Sequence, residues 1–207
     1  MPFITFEGIE GSGKTTQLRL LAERLRSDAV VTREPGGTAI GEAVRRILLD
    51  PGNRDLTPTA ELLLYFADRA QNVAEVIRPA LAAGRVVLCD RHVESSLAYQ
   101  GYGRGLDLGA IRALAALATS GLRPDAIVLV DVPVELGLAR VGRRGAHDRL
   151  EAEVREFHLR VRAGYTALRE EEPARWLWLD GTAAPEAVFE GLWSGLRARG
   201  LVGGEPR

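Results

Sequence analysis

Lysine is almost missing from this chain. Of its 27 basic residues 26 are arginine, and Lys14 is the one exception. Cysteine is nearly absent too. Cys89 alone excludes an intramolecular disulfide and any cysteine-built zinc site, and its place in the apolar run Val86-Val87-Leu88-Cys89 reads as a core thiol. The three histidines, His92, His147 and His158, have no metal-ligand spacing. No apolar run reaches transmembrane length, and no secretory leader precedes the first strand-like segment, so a cytoplasmic location is expected. The chain also lacks an excess of either charge: 27 basic against 28 acidic residues leave a net charge of −1, which argues against an extended nucleic-acid backbone as ligand. A local arginine cluster for small phosphates remains open. No internal repeat or low-complexity linker is visible.

What is present is a globular composition, 46% hydrophobic and 27% charged over 207 residues, sufficient for one domain spanning 1–207. Its most informative stretch is Gly8-Ile9-Glu10-Gly11-Ser12-Gly13-Lys14-Thr15. The apolar, β-branched Phe3-Ile4-Thr5-Phe6 before it reads as a buried strand. The segment Thr16 to Leu25 after it reads as an amphipathic helix, with Leu18, Leu21, Ala22 and Leu25 on one face. Strand, glycine-rich turn, lysine, hydroxyl and helix together define a P-loop. The glycines let successive backbone N–H groups converge on phosphate oxygens, and the helix N-terminus adds its positive dipole end. Lys14 is placed for the β and γ phosphates and the Thr15 hydroxyl for Mg²⁺. A chain that otherwise uses arginine keeps its one lysine where a slim ammonium must fit between phosphates.

Further strands are predicted at Ala29–Thr32, Val86–Cys89, Ala126–Val130 and Trp176–Leu179, alternating with helical patterns. The runs at 86–89 and 126–130 are continuously apolar, as parallel strands covered on both faces require. The expected fold is therefore α/β: a P-loop NTPase-type three-layer sandwich with five parallel strands flanked by helices. Polar or charged residues follow the strand runs at Glu7, Arg33, Asp90, Asp131 and Asp180, where ligands of open α/β sheets bind. A long helix is predicted from about Thr59 to Ala83, with Leu63, Phe66, Ala70, Val73, Ile77 and Leu81 as its core stripe; Glu61, Tyr65, Arg69 and Asn72 fall on another face. A second is predicted from about Leu150 to Glu171, with Leu150 and Val154 among its inward positions. Residues 140–149, with two glycines and four arginines, read as a mobile loop. The alanine- and leucine-rich helix Leu108 to Leu117 suits either an apolar surface or the interior.

Three constellations carry chemistry. Asp90-Arg91-His92 ends the third strand and places an aspartate beside the P-loop, suited to a Mg²⁺ shell; Arg91 stands where a water-activating ATPase would have glutamate. Arg33-Glu34-Pro35-Gly36-Gly37-Thr38 ends the second strand in a tight turn. Arg33, Arg45, Arg69 and Arg91 then supply several guanidiniums near the strand ends, and such bidentate forks suit a second phosphate apart from the one in the P-loop. Tyr65 and Arg69, one turn apart, form a pair able to stack on and hydrogen-bond a base. Phe66 is the alternative stacker, although its place in the apolar stripe favours core packing.

In combination these residues resemble the thymidylate kinases, from Phe3 to about Leu196. The resemblance rests on the P-loop with Glu10 inside it, the Arg-Glu-Pro-Gly-Gly-Thr turn, Asp90-Arg91-His92, Tyr99-Gln100-Gly101, and Arg144-Gly145 with Asp148-Arg149. It implies transfer of a phosphoryl group from ATP, with Mg²⁺, to dTMP, in a homodimer. On the ATP side it implies Gly8, Ile9, Glu10, Gly11, Ser12, Gly13, Lys14, Thr15 and Thr16, with Arg140 and Arg144 from a lid over about 140–149. On the dTMP side it implies Glu34, Pro35, Gly36, Arg45, Tyr65, Phe66, Arg69, Arg91, Ser96, Tyr99 and Gln100. In that reading Arg45 and Arg91 hold the phosphate, Arg69 bonds the thymine carbonyl, and Tyr99 lies where a ribose 2′-hydroxyl would clash. Lys14, Asp90, Arg91, Arg144 and Glu10 are the implied catalytic set, and Thr15 and Asp90 the metal ligands. The sequence departs from the family in two places. Tyr65 stands where members often stack thymine on phenylalanine, and residues 9–12 contain no arginine, so catalytic charge would come from the lid, as in the bacterial subtype.

Elementary chemistry agrees with the resemblance. A nucleoside monophosphate has a second pKa of about 6, so at neutral pH its attacking oxygen is already ionised and needs no general base. A nucleoside acceptor would need such a base and fewer arginines, so Arg45 and Arg91 argue against a deoxynucleoside kinase, while another nucleotide kinase of this fold stays open as the alternative. A GTPase-type switch would need Asn-Lys-x-Asp, which a chain with Lys14 as its only lysine does not contain.

Overall fold

The structure, a computed structural model, describes residues 1–143 and 148–203. Five parallel strands, β1 (Phe3–Glu7), β2 (Ala29–Arg33), β3 (Val86–Asp90), β4 (Ala126–Asp131) and β5 (Trp176–Asp180), form one sheet in the order β2-β3-β1-β4-β5. The helices are α1 (Lys14–Leu25), α2 (Ala39–Leu49), α3 (Pro58–Asn72), α4 (Arg78–Ala82), α5 (Val93–Ser96), α6 (Leu108–Thr119), α7 (Val134–Gly142), α8 (Arg155–Glu171) and α9 (Pro185–Ala198). Each strand ends one residue beyond its predicted apolar run, so Glu7, Arg33, Asp90, Asp131 and Asp180 are the terminal strand residues.

Alternation along the strands feeds two cores, one on each face of the sheet. Ile4, Phe6, Ala126, Val128 and Val130 pack with Leu18 and Leu21 of α1 and Val188, Leu192 and Leu196 of α9. Ile127 and Leu129 face the other way, toward α2, α3, α6 and α8, through Leu48, Phe66, Ile111, Phe157 and Val161. Phe3, Val87 and Cys89 pack beneath Val73, Ile77 and Ala80. The sheet is thus covered on both faces, and its carboxyl edge is left for ligands.

Three predicted elements come out differently. The helix expected over 59–83 is interrupted by a π-helical turn at Val73–Ile77 before α4 begins. Pro79 explains the interruption, because its ring and missing N–H cannot continue an α-helical ladder, and a wider turn accommodates both. Its buried face is also rotated from the expected one. Leu63 is 51% exposed, while Glu61 at 0%, Arg69 at 1% and Asn72 at 0% point inward. The inward polar groups are satisfied by one another's neighbours, as described below. The second long helix begins only at Arg155, and Val154, expected inward, is 63% exposed. Leu150 is buried instead by a turn in which the Leu150 and Glu151 N–H groups donate to Asp148 Oδ1 at 2.9 Å each.

The loop expected over 140–149 is also corrected at both ends. Helix α7 continues through Gly142, so Arg140 is helical. Arg149 is buried and fixed: its Nε donates to Leu48 O at 2.8 Å and its Nη2 to Glu61 Oε2 at 2.5 Å. Arg144, on which the lid reading depends, lies outside the described residues. Helix α7 seats directly on the P-loop through two glycines. A Cβ on Gly11, whose φ is +70°, would lie 2.2 Å from Gly137 O, and one on Gly137 would lie 2.6 Å from Glu10 O. Gly137→Ala must therefore displace backbone, and we expect it to destabilise the fold by ~1–3 kcal/mol in chemical denaturation, as overpacked sites do. An unchanged midpoint would show that α7 can retreat freely.

Candidate active site

Helix α1 opens without a side-chain cap and without an acidic residue in its first turn; Gly13, at φ 98°, is its N-cap. Its first N–H groups are consequently left for an anion, with Lys14 beside them. This N-terminus forms one end of a cavity of about 700 Å³ that runs along the carboxyl edge of the sheet. Residues Glu10, Gly11, Ser12, Gly13, Lys14, Thr15 and Thr16 line that end, joined by Arg140, whose Nη1 donates to Gly11 O at 3.2 Å and Gly181 O at 3.0 Å. Glu34, Pro35, Arg45, Tyr65, Arg69, Arg91, Ser96, Tyr99 and Gln100 line the other. Gly8, Ile9 and Gly36 lie behind the wall rather than in it. So does Phe66, which packs in the core with the Arg69 guanidinium 4.6 Å from its ring centroid. That corrects its assignment as a substrate contact, and Tyr65 is the aromatic that faces the cavity. Of the strand-terminal residues, Asp131 is a structural partner, bidentate with Arg162 at 2.8 Å, and Asp180 caps the turn at Thr182.

Arg91 stands at the junction of the two ends. Its backbone is left-handed at φ 71°, a strained conformation held by its N–H bond to Phe6 O. Nη2 donates to Glu10 Oε1 at 2.8 Å and Tyr99 Oη at 3.0 Å; Nη1 reaches Ser95 Oγ at 3.1 Å and Tyr165 Oη at 3.2 Å. Burial would push the Glu10 carboxyl up, but Arg91, then His158 and Lys14, hold it well below the usual range. Lys14 is itself lowered, chiefly by burial and then by Arg91, against the opposing pull of Asp90 and Glu10.

Arg69 is held on three sides: Nε to Glu34 Oε2 at 2.7 Å, Nη1 to Ser96 Oγ at 3.1 Å and Nη2 to His92 O at 2.8 Å. Glu34 also accepts from Asn72 at 3.2 Å and meets His92 Nδ1 at 3.0 Å. Burial opposes its ionisation, yet His92 and Arg69 lower its pKa to about 2. Glu34, Cys89 and His92 lie within 4.8 Å of one another, but the donor set does not suit a cation. Arg69 already occupies the carboxylate, and burial raises the Cys89 thiol well above its ordinary pKa. The pair Thr15 and Asp90 does suit a divalent ion. Thr15 Oγ lies 2.7 Å from Asp90 Oδ2, and Asp90 Oδ1 is buried with no hydrogen-bond partner.

Several groups at the site carried no local sequence signal. Tyr165, on α8, and Ser95 both reach Glu7, with Tyr165 Oη donating to Oε2 at 2.9 Å and Ser95 Oγ at 2.5 Å; the His92 N–H donates to Oε1 at 2.8 Å. Glu61 accepts from Gln100 at 2.8 Å and pairs with Arg104 and Arg149, joining the cavity wall to the turn after residue 147. Nothing in their spacing announces such contacts; among these, only the strand-terminal position of Glu7 hinted at a role. Burial, and after it the charge of Glu94, pushes Glu7 up to about 7 from 4.5. The native state then keeps a proton between those values that the unfolded chain has released, so this group's contribution to stability is full below pH 4.5 and falls as pH rises toward 7. Asp68, raised to about 7 by burial, has the same sign. Glu7→Gln should accordingly flatten, without abolishing, the decline in melting temperature between pH 5 and 7.5. A slope equal to wild type would show that Glu7 ionises normally.

A family model described as thymidylate kinase matches residues 6–191. The chain is 54% identical over 210 residues to the thymidylate kinase of Synechococcus sp. (strain JA-3-3Ab), covering 99% of both chains. It is 53% identical over 196 residues to that of Desulfovibrio desulfuricans, covering 90% of both. The crystal structure of thymidylate kinase from Ehrlichia chaffeensis superposes with a TM-score of 0.77 at 35% identity, over 94% of this chain and 98% of that one. The matched span takes in both ends of the cavity, from the P-loop to the wall contributed by α9, and by that measure the chain belongs to the thymidylate kinase family.

Proposed function

We propose that this chain transfers the γ-phosphoryl group of ATP to dTMP, yielding ADP and dTDP. The observation that carries the proposal is a continuous cavity with a main-chain anion site and Lys14 at one end, guanidiniums at the other, and Arg91 between. Two anions approaching end to end repel one another, and cations placed in advance at their junction offset that repulsion.

In this reading the P-loop amides and Lys14 hold the ATP phosphates, with Arg140 on the same side. Arg45 and Arg91 hold the dTMP phosphate, helped by the turn at Glu34, Pro35 and Gly36. Arg69 and Ser96 meet the thymine edge, Tyr65 stacks on the ring, and Gln100 closes the wall. Tyr99, fixed by its 2.6 Å hydrogen bond to Glu10, lies against the deoxyribose. Thr15 and Asp90 hold Mg²⁺, which when bound neutralises phosphate charge. An oxygen of the dTMP phosphate, already ionised, forms the new bond to the γ-phosphorus as the bond to the β-phosphate oxygen breaks, and the electron pair leaves with ADP. No protein base is required, so the side chains act by placement and charge.

Among the described residues no helix is long and apolar enough to cross a membrane. Ile40 and Ile47 on α2, Leu63 on α3 and Leu117 on α6 are exposed apolar side chains on successively packed helices. A second copy of the chain is proposed to cover them. Sedimentation at micromolar concentration should then give twice the 22.5 kDa chain mass; a monomer would overturn this part.

Incubation with ATP and Mg²⁺ against dTMP, dUMP, dGMP, AMP and thymidine, with products separated by ion exchange, tests the assignment. We expect dTDP and ADP in equal amounts from dTMP and no product from thymidine. Lys14→Ala should lower kcat by roughly 10²–10³-fold, the cost of removing one preorganised donor. If dTMP were not among the best acceptors, the substrate assignment would fail.

A further inference from the structure

Asp68 precedes Arg69 on α3, is 0% exposed, and has no part in the phosphoryl transfer just described. Its Oδ1 accepts a hydrogen bond from the Gly36 N–H at 2.8 Å. The carbonyl of that same peptide unit, Pro35 O, accepts from Arg45 Nη1, also at 2.8 Å. A peptide unit is planar and rigid, so its N–H and C=O point in fixed, opposed directions, and a rotation of one moves the other.

The backbone here has little restraint of its own. Gly36 and Gly37 lie at φ 128° and 79°, and glycine populates many alternatives to such angles. What surrounds the peptide is tightly packed. A Cβ on Gly41 would lie 2.5 Å from both Asp68 Oδ1 and Gly36 O, so α2 presses onto the turn and the carboxyl together. Arg45 projects one helical turn beyond Gly41 on the same helix. The other carboxyl oxygen, Oδ2, is buried without a partner, which leaves the Gly36 N–H as the contact that fixes the group.

We propose that Asp68 is a positioning residue for the phosphoryl acceptor: through the Pro35–Gly36 peptide it sets the Arg45 guanidinium for the dTMP phosphate. The inference rests on the reading of Arg45 given above and adds the group that aims it. Asp68 touches neither substrate in this arrangement. Its loss should raise KM for dTMP while KM for ATP and kcat stay within about twofold.

The test is a mutant cycle in steady-state kinetics, with melting curves to verify folding. Asp68→Ala, which removes the acceptor, should raise KM for dTMP about tenfold, the order expected for a lost hydrogen bond. Asp68→Asn, whose amide oxygen can still accept from Gly36, should restore it to within about twofold. Arg45→Ala should raise it more than tenfold, and adding Asp68→Ala to Arg45→Ala should raise it no further. If Asp68→Ala does not fold, Asp68→Glu replaces it in the cycle, because the extra methylene displaces the accepting oxygen. An Asp68 effect of equal size with and without Arg45, or an equal rise in KM for ATP, would overturn the relay while leaving the reading of Arg45 intact. A wild-type KM for dTMP in Arg45→Ala alone would overturn both.

Discussion

Buried cations need partners, because taking a charge out of water costs several kcal/mol unless a counter-charge or hydrogen bonds replace the solvent. This sheet sets Lys14, Arg69 and Arg91 along one cavity at its carboxyl edge, all with little solvent contact. Each must be neutralised before any ligand arrives, yet Lys14 and Arg91 are proposed to receive phosphate. Glu10 resolves the conflict by offsetting both Arg91 and Lys14: one oxygen bonds Arg91 and Tyr99, and the other lies 3.5 Å from His158 Nδ1. The cations are thereby placed in advance, and an incoming anion finds them without reorganising the site.

The guanidiniums differ in how firmly they are held, and the difference matches their proposed tasks. Arg69 has all three nitrogens committed to Glu34, Ser96 and His92 O, which suits a group that must read one edge of a base in a fixed direction. Arg45 makes one hydrogen bond, to a carbonyl in a glycine-flanked turn, and faces the cavity partly exposed. A phosphate presents equivalent oxygens and tolerates a more mobile fork. The less restrained fork is also the one whose placement is proposed to depend on Asp68, through the Pro35–Gly36 peptide.

Local information made the P-loop and the sheet legible. A strand, a glycine-rich turn and an amphipathic helix in immediate succession specify their own geometry, and five short apolar runs ending in polar residues specify the carboxyl edge. Helix α3 was misread because its most buried face is its most charged one. Periodicity assigns Leu63 to the core stripe and Arg69 to another face, whereas Glu34, just after β2, neutralises Arg69, and His92 O, just after β3, accepts from it, so that this face is buried by groups far away in sequence. Arg149 was read as part of a loop for the same reason: its partner, Glu61, is 88 residues distant. Phe66, the alternative stacker, packs in the core as its place in the apolar stripe favours, and its contact with Arg69 from behind is what tertiary structure adds. The contacts of Tyr165 and Ser95 with Glu7 arise wholly from tertiary structure.

The lone lysine fits this division between local and distant information. A guanidinium is planar, carries five donors in a fixed fork and needs room on all sides. At the start of α1 the backbone amides already offer directional donors, and the loop before it is closely packed: a Cβ on Gly8 would lie 2.4 Å from Val130 O and one on Gly11 2.2 Å from Gly137 O. What that point lacks is charge on a slim stem. At the opposite end of the cavity the backbone offers few amides, because in the turn from Glu34 to Gly37 Pro35 has no N–H and the N–H groups of Glu34, Gly36 and Gly37 already donate to Asp90 O, Asp68 and Glu42. Directional donors there must come from side chains, and arginine supplies them. The near-total replacement of lysine by arginine therefore stops at the one site where the main chain has already done the work of the fork.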